Sequence, residues 1–99
     1  MRKLPHSISI GGRRVSIRVV PDLEAWGEYR HDAAEIAIAA KTLKDEKILA
    51  ETMRHEVMHA ALDISGVGFI EGFPEEAVVR CFESIFFPAW ENFLPKLKP

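Results

Sequence analysis

Apolar and polar positions alternate from residue 7 to residue 20. Ile8, Ile10, Val15, Ile17 and Val19 fall on one side, and Ser9, Arg14, Ser16 and Arg18 on the other. A period of two marks strands with one face buried. Gly11-Gly12 supplies the positive-φ residues of a tight turn, so the pattern predicts a hairpin ended by Pro21. A two-residue and a four-residue loop both keep the isoleucines on one face. Ile36 and Ile38, alternating with alanines, predict a third short strand over residues 34 to 39. Trp26, Gly27 and Tyr29 then belong to the connection entering that strand, the kind of loop that lines a cleft at a sheet edge.

The period changes after residue 45. Ile48, Leu49, Met53, Val57, Ala60, Ala61 and Leu62 recur at steps of three and four with no proline or glycine among them, which predicts a helix from Asp45 to Asp63. Thr42 or Asp45 can cap its start, and Ser65-Gly66 ends it. Pro74 suits the first turn of a second helix over residues 75 to 87, which Pro88 interrupts before another turn or two. The expected fold class is α+β: a small antiparallel or mixed sheet of about three strands packed on a long helix and a second, C-terminal helix. At 99 residues the chain is a single domain.

Composition adds limits. The 47% hydrophobic and 28% charged content is that of a globular chain. A formal charge of -2 gives no global field for nucleic acid or anionic membranes. The first twenty residues carry Arg2, Lys3, Arg13, Arg14 and Arg18 and no acid, which reads as a solvated sheet face rather than a phosphate stripe. One cysteine, Cys81, and no signal-peptide pattern fit a cytoplasmic protein, and no run is long enough to span a membrane.

The chemistry lies inside the long helix, at His55-Glu56-Val57-Met58-His59. Histidines four apart stand one turn above each other on the same face, so both rings can reach one zinc ion. Glu56 lies beside them as a general base. Two imidazoles and a carboxylate on an apolar helix need a shared partner, and a metal is one. A third ligand would come from Glu71, Glu75, Glu76 or Glu83. With Glu75 at zero on a wheel of about 100° per residue, Val79, Phe82 and Phe86 cluster around it, while Glu76 and Glu83 fall near the edge. Glu75 therefore ranks first and Glu76 second, provided that the apolar face packs on the first helix. Glu83 is expected to meet solvent or pair with Arg80.

The run from Gly27 to Leu94, with GEY, an IAIA strand, ETMRHEVMHAAL and PEEAVVRCF, resembles the short phage- and bacterium-encoded HExxH proteins related to the ImmA/IrrE-like metallopeptidases. The resemblance implies a minimal zincin-like, gluzincin-type hydrolase of the cytoplasm, phage-encoded or bacterial. It implies zinc on His55 and His59, Glu56 as the catalytic glutamate, and Glu75 or Glu76 as the third ligand. A protein or peptide would be the substrate. Tyr29 and His31 are candidates for stabilising an oxyanion, and Asp63 either orients a ligating histidine or is an exposed helix-end acid. The rival reading is a non-catalytic module that zinc stabilises and that docks a protein or nucleic acid. Phe82, Phe86, Phe87, Trp90 and Phe93 are expected to pack on the sheet and first helix, with a homodimer seam as the alternative.

Overall fold

The structure is a computed structural model and describes residues 4 to 97, so Arg2 and Lys3 of the basic segment lie outside the described residues. Strands β1 (Ser7–Ile10) and β2 (Arg13–Val20) form the expected hairpin. Ile10 pairs with Arg13, which selects the two-residue loop, and Gly11 and Gly12 have φ of 58° and 81°. Both values lie where only glycine is unstrained, as a tight hairpin turn demands.

The sheet has four strands rather than about three. Gly27–Arg30, expected as loop, forms β3, and the segment expected as the third strand is β4 (Glu35–Ala39). The order is β1-β2-β4-β3, with β4 parallel to β2 and antiparallel to β3. The sheet is therefore mixed, and β3 is an edge. Val15, Ile36 and Ile38 are fully buried on the face that meets the long helix. The opposite face is polar: Arg18 and Arg30 both bind Glu35 at 3.1 Å, and Arg30 also binds Glu28 at 2.7 Å.

A 3-10 turn (Ala40–Lys44) leads from β4 into helix α1 (Glu46–Ser65). Of the two candidate caps, Asp45 is the one used, its Oδ1 accepting from the amides of Lys47 and Ile48 at 2.9 and 3.2 Å. Thr42 is fully buried in the turn and donates to the Ala39 carbonyl. Gly66, with φ 86°, ends α1 in the left-handed conformation. The buried positions of α1 are Leu49, Thr52, Glu56 and Ala60, a stripe at steps of three and four. Glu56 therefore stands on the core-facing side. Gly27 permits this approach, because a Cβ there would lie 2.8 Å from Thr52 Cγ2 and 3.3 Å from Glu56 Cγ.

The second helical region begins with α2 (Glu75–Cys81), just after Pro74. Pro88 does not stop it. One π turn (Phe82–Phe86) carries the chain into α3 (Phe87–Phe93), whose first turn holds Pro88, and a 3-10 turn (Leu94–Leu97) follows. A proline lacks an amide hydrogen and crowds the preceding turn, and the wider turn takes up that change. The aromatics of this region do not pack on the sheet. Phe82, Phe86, Trp90 and Phe93 are each 40 to 46% exposed. α2 packs on α1 while these aromatics stay half exposed, and the radius of gyration is 14.6 Å, against about 13 Å for a compact chain of this length.

Candidate metal centre

Helix α1 directs His55 and His59 toward α2 with their Nε2 atoms 3.2 Å apart. Carboxylates hold both rings from behind. Glu83 Oε2 lies 2.6 Å from His55 Nδ1, and Glu75 Oε2 lies 2.5 Å from His59 Nδ1. A carboxylate only accepts, so each Nδ1 carries the hydrogen at these contacts, and in the neutral tautomer each Nε2 presents a lone pair. Two lone pairs at this distance are satisfied by a cation between them, either a metal ion or a proton carried on one ring.

Glu76 completes the group, with Oε2 3.3 Å from His59 Nε2. Ligand-type atoms of His55, His59 and Glu76 all lie within 4.8 Å of one another, so these three could hold a metal ion. A tetrahedral zinc with bonds of about 2.0 to 2.1 Å needs donors about 3.3 Å apart. The separations of 3.2 and 3.3 Å match two of its edges, and the third, from His55 to Glu76, lies within 4.8 Å and would have to close on binding. Glu75, ranked first as a ligand from the wheel, is not in the converging group. It does face α1, as the wheel required, but it meets the Nδ1 side of His59. Gly68 keeps this contact open, since a Cβ there would fall 2.8 Å from Glu75 Oε1. Glu83, expected at solvent or on Arg80, is instead the partner of His55. Its wheel angle nearly equals that of Glu76, which was the signal that one edge of α2 serves the site.

Comparison with family models, with curated proteins and with solved structures finds no match. What the site can do therefore rests on its own geometry.

Glu56 is 6% exposed, and burial, its largest influence, raises its carboxyl above the usual range. The charges of His55 and His59 and the Tyr29 amide oppose this rise without cancelling it. With His55 it lines an open cleft of about 340 Å³, walled by Trp26, Gly27, Thr52 and Glu83. Trp26 is 49% exposed there and carries Lys41 over its ring at 4.7 Å. A second hollow of about 230 Å³ lies on the other side of the histidine pair, between His59, Glu75, Phe69 and His31.

Tyr29, His31 and Asp63 form one cluster beside that hollow. Asp63 accepts from the Tyr29 hydroxyl at 2.6 Å and pairs with His31 Nδ1 at 2.7 Å. Asp63 thus orients these two residues; it neither orients a ligating histidine nor stands as an exposed helix-end acid, its side chain being 12% exposed. Burial and the Asp63 hydrogen bond push the Tyr29 hydroxyl up to about 12. Hydrogen bonding to Asp63 and its charge raise His31. Burial pushes Asp63 upward, but the bonds from Tyr29 and His31 outweigh it and leave the carboxyl below its ordinary value.

Proposed function

We propose that this chain is a zinc-dependent, metallopeptidase-like hydrolase of proteins or peptides. The observation that carries the reading is a pair of facing Nε2 atoms, each ring oriented by its own carboxylate, with a buried glutamate one residue along in the adjoining cleft. A structural site would use the histidines and need no base beside them. His55, His59 and Glu76 would hold the ion, with Glu75 and Glu83 fixing ring tautomer and angle. Zinc bound there supplies Lewis acidity to a carbonyl oxygen and to water.

The chain's own residues do the rest. Glu56 accepts a proton from the attacking water at a carboxylate oxygen and returns it to the leaving amine. The edge strand β3 borders the cleft, and an extended peptide can add to such an edge through main-chain hydrogen bonds. The decisive experiment is Glu56→Gln with zinc content and peptide hydrolysis measured together. The variant should retain one zinc and lose at least about a hundredfold in turnover. Hydrolysis at the wild-type rate would end the proposal, and zinc-loaded wild type that cleaves no peptide in a broad library would leave the stabilised binding module in its place.

A further inference from the structure

The helical region from residue 75 to residue 97 leaves a continuous apolar seam uncovered. Phe82, Phe86, Trp90, Phe93 and Leu97 follow at steps of four, four, three and four, which keeps them on one side of the helix. Each is between 40 and 57% exposed, and Ile85 beside them is 66% exposed. Half-exposed side chains of this size present together on the order of 600 Å². That is the upper end of what monomers leave bare. The seam is ordered within itself: Phe86 and Trp90 stack with an interplanar angle of 5°, and Trp90 and Phe93 have centroids 6.0 Å apart. Beyond the α1–α2 contact, Arg54 ties it to the body, bonding Glu91 at 3.0 Å and lying over Phe87 at 4.3 Å.

The geometry points to a second copy of this chain as the occupant, paired antiparallel along the seam about a two-fold axis near Trp90. Three observations select that partner. Two such faces would together bury about 1,200 Å², just above what a specific interface needs. α1 packs on α2 and reaches the α3 region through Arg54, so antiparallel pairing sets the more closely packed ends of the two copies apart. The same chain also carries the matching hollow. A wholly apolar groove of about 200 Å³ lies between α1 and α2, lined by Met58, Ala61, Leu62, Val78 and Phe82. An axis near Trp90 brings Leu97 of one copy opposite Phe82 of the other, at this groove, and Phe86 opposite Phe93. Each groove is then filled by the far end of the opposite helix, an isologous arrangement that closes on itself. In this register Lys96 of one copy lies opposite Glu83 of the other.

Sedimentation equilibrium of the full chain tests this directly. Wild type should be dimeric at tens of micromolar, and Phe86→Asp with Trp90→Asp should weaken association at least about thirtyfold. Its circular dichroism should not change, because both positions are already half exposed. Trp90→Phe should remain dimeric. Register is read by oxidation on a Cys81→Ser background. Trp90→Cys should give a covalent dimer, Leu97→Cys alone should not, and Leu97→Cys mixed with Phe82→Cys should. Wild type monomeric up to about 100 μM, self-linking of Leu97→Cys as efficient as that of Trp90→Cys, or association that requires lipid vesicles would each overturn the proposal.

Discussion

The body formed by the sheet and α1 and the helical region that follows Pro74 use equally apolar stripes to different ends. In the body the stripes meet. Val15, Ile36 and Ile38 are fully buried, and Leu49 of α1 closes over them. After Pro74, among the described residues, only Val79 is buried, and Phe82, Phe86, Trp90 and Phe93 remain 40 to 46% exposed. An apolar periodicity thus announces that a face will be covered without saying by what. The difference matters for the site, because both histidines belong to the firmly packed region, whereas Glu75, Glu76 and Glu83 all belong to the loosely attached one. A metal would be the tie between them.

The sharpest way to break the comparison is a pair of truncations. Ile36→Ala should cost about 2 to 5 kcal/mol, as buried aliphatic deletions do. Ile85→Ala, at a position 66% exposed, should cost below about 0.5 kcal/mol. Urea unfolding of both variants at a protein concentration where the chain is monomeric checks this. Similar losses would mean that the C-terminal region is as deeply packed as the sheet.

Next in size is the tie itself. Zinc at about a hundred times its dissociation constant should stabilise the fold by about 2.7 kcal/mol. His59→Ala should abolish that gain, and Glu76→Ala should reduce it more than Glu75→Ala does. Thermal melts with and without zinc read the effect. A larger loss from Glu75→Ala would assign the third ligand to the carboxylate that lies at Nδ1.

Much of the body was legible from sequence and less of the join. The hairpin, its two glycines, the Asp45 cap and the Gly66 stop follow from local chemistry that neighbours do not override. The facing histidines follow from helical geometry alone. Strand β3 was illegible because Gly27, Glu28, Tyr29 and Arg30 show no apolar alternation, and pairing to β4 is what makes them a strand. The wheel placed Glu75 toward α1, which it is, but a wheel carries no information on which nitrogen of a histidine it meets. The aromatics misled for a related reason. Their spacing reads as core, yet Phe82, Phe86, Trp90 and Phe93 stay 40 to 46% exposed.

Gly27 sharpens the comparison within the body. Gly27→Ala would set a Cβ 2.8 Å from Cγ2 of the buried, β-branched Thr52 side chain and 3.2 Å from the Ala37 backbone carbonyl, neither of which can easily give way. Overpacking of this kind costs about 1 to 3 kcal/mol. The same Cβ would crowd Glu56 Cγ at 3.3 Å, so hydrolysis should fall further than stability. A stable variant with unchanged activity would show that β3 can move away from α1 without disturbing the base.

The smallest effect is expected where β3 touches the loop between the two regions. His31 pairs with Asp63 on α1 and meets Phe69 of that loop edge-on, with centroids 5.7 Å apart. Asp63 raises His31, with Asp32 adding to this and the charge of Arg13 opposing it. A histidine raised on folding stabilises the native state fully below its ordinary value of about 6.5, and that contribution disappears as pH climbs through the raised value. Asp63 is lowered, so its contribution is complete above about 3.9 and is lost only on stronger acidification. The pair should therefore be strongest between roughly pH 4 and 6.5. In urea titrations, the advantage of wild type over His31→Gln should be greatest near pH 6 and shrink toward pH 8.5. Because His31 is 60% exposed, solvent screening keeps the effect slight. An advantage that stays constant or grows with pH would mean that His31 acts through its contact with Phe69 and not through its charge.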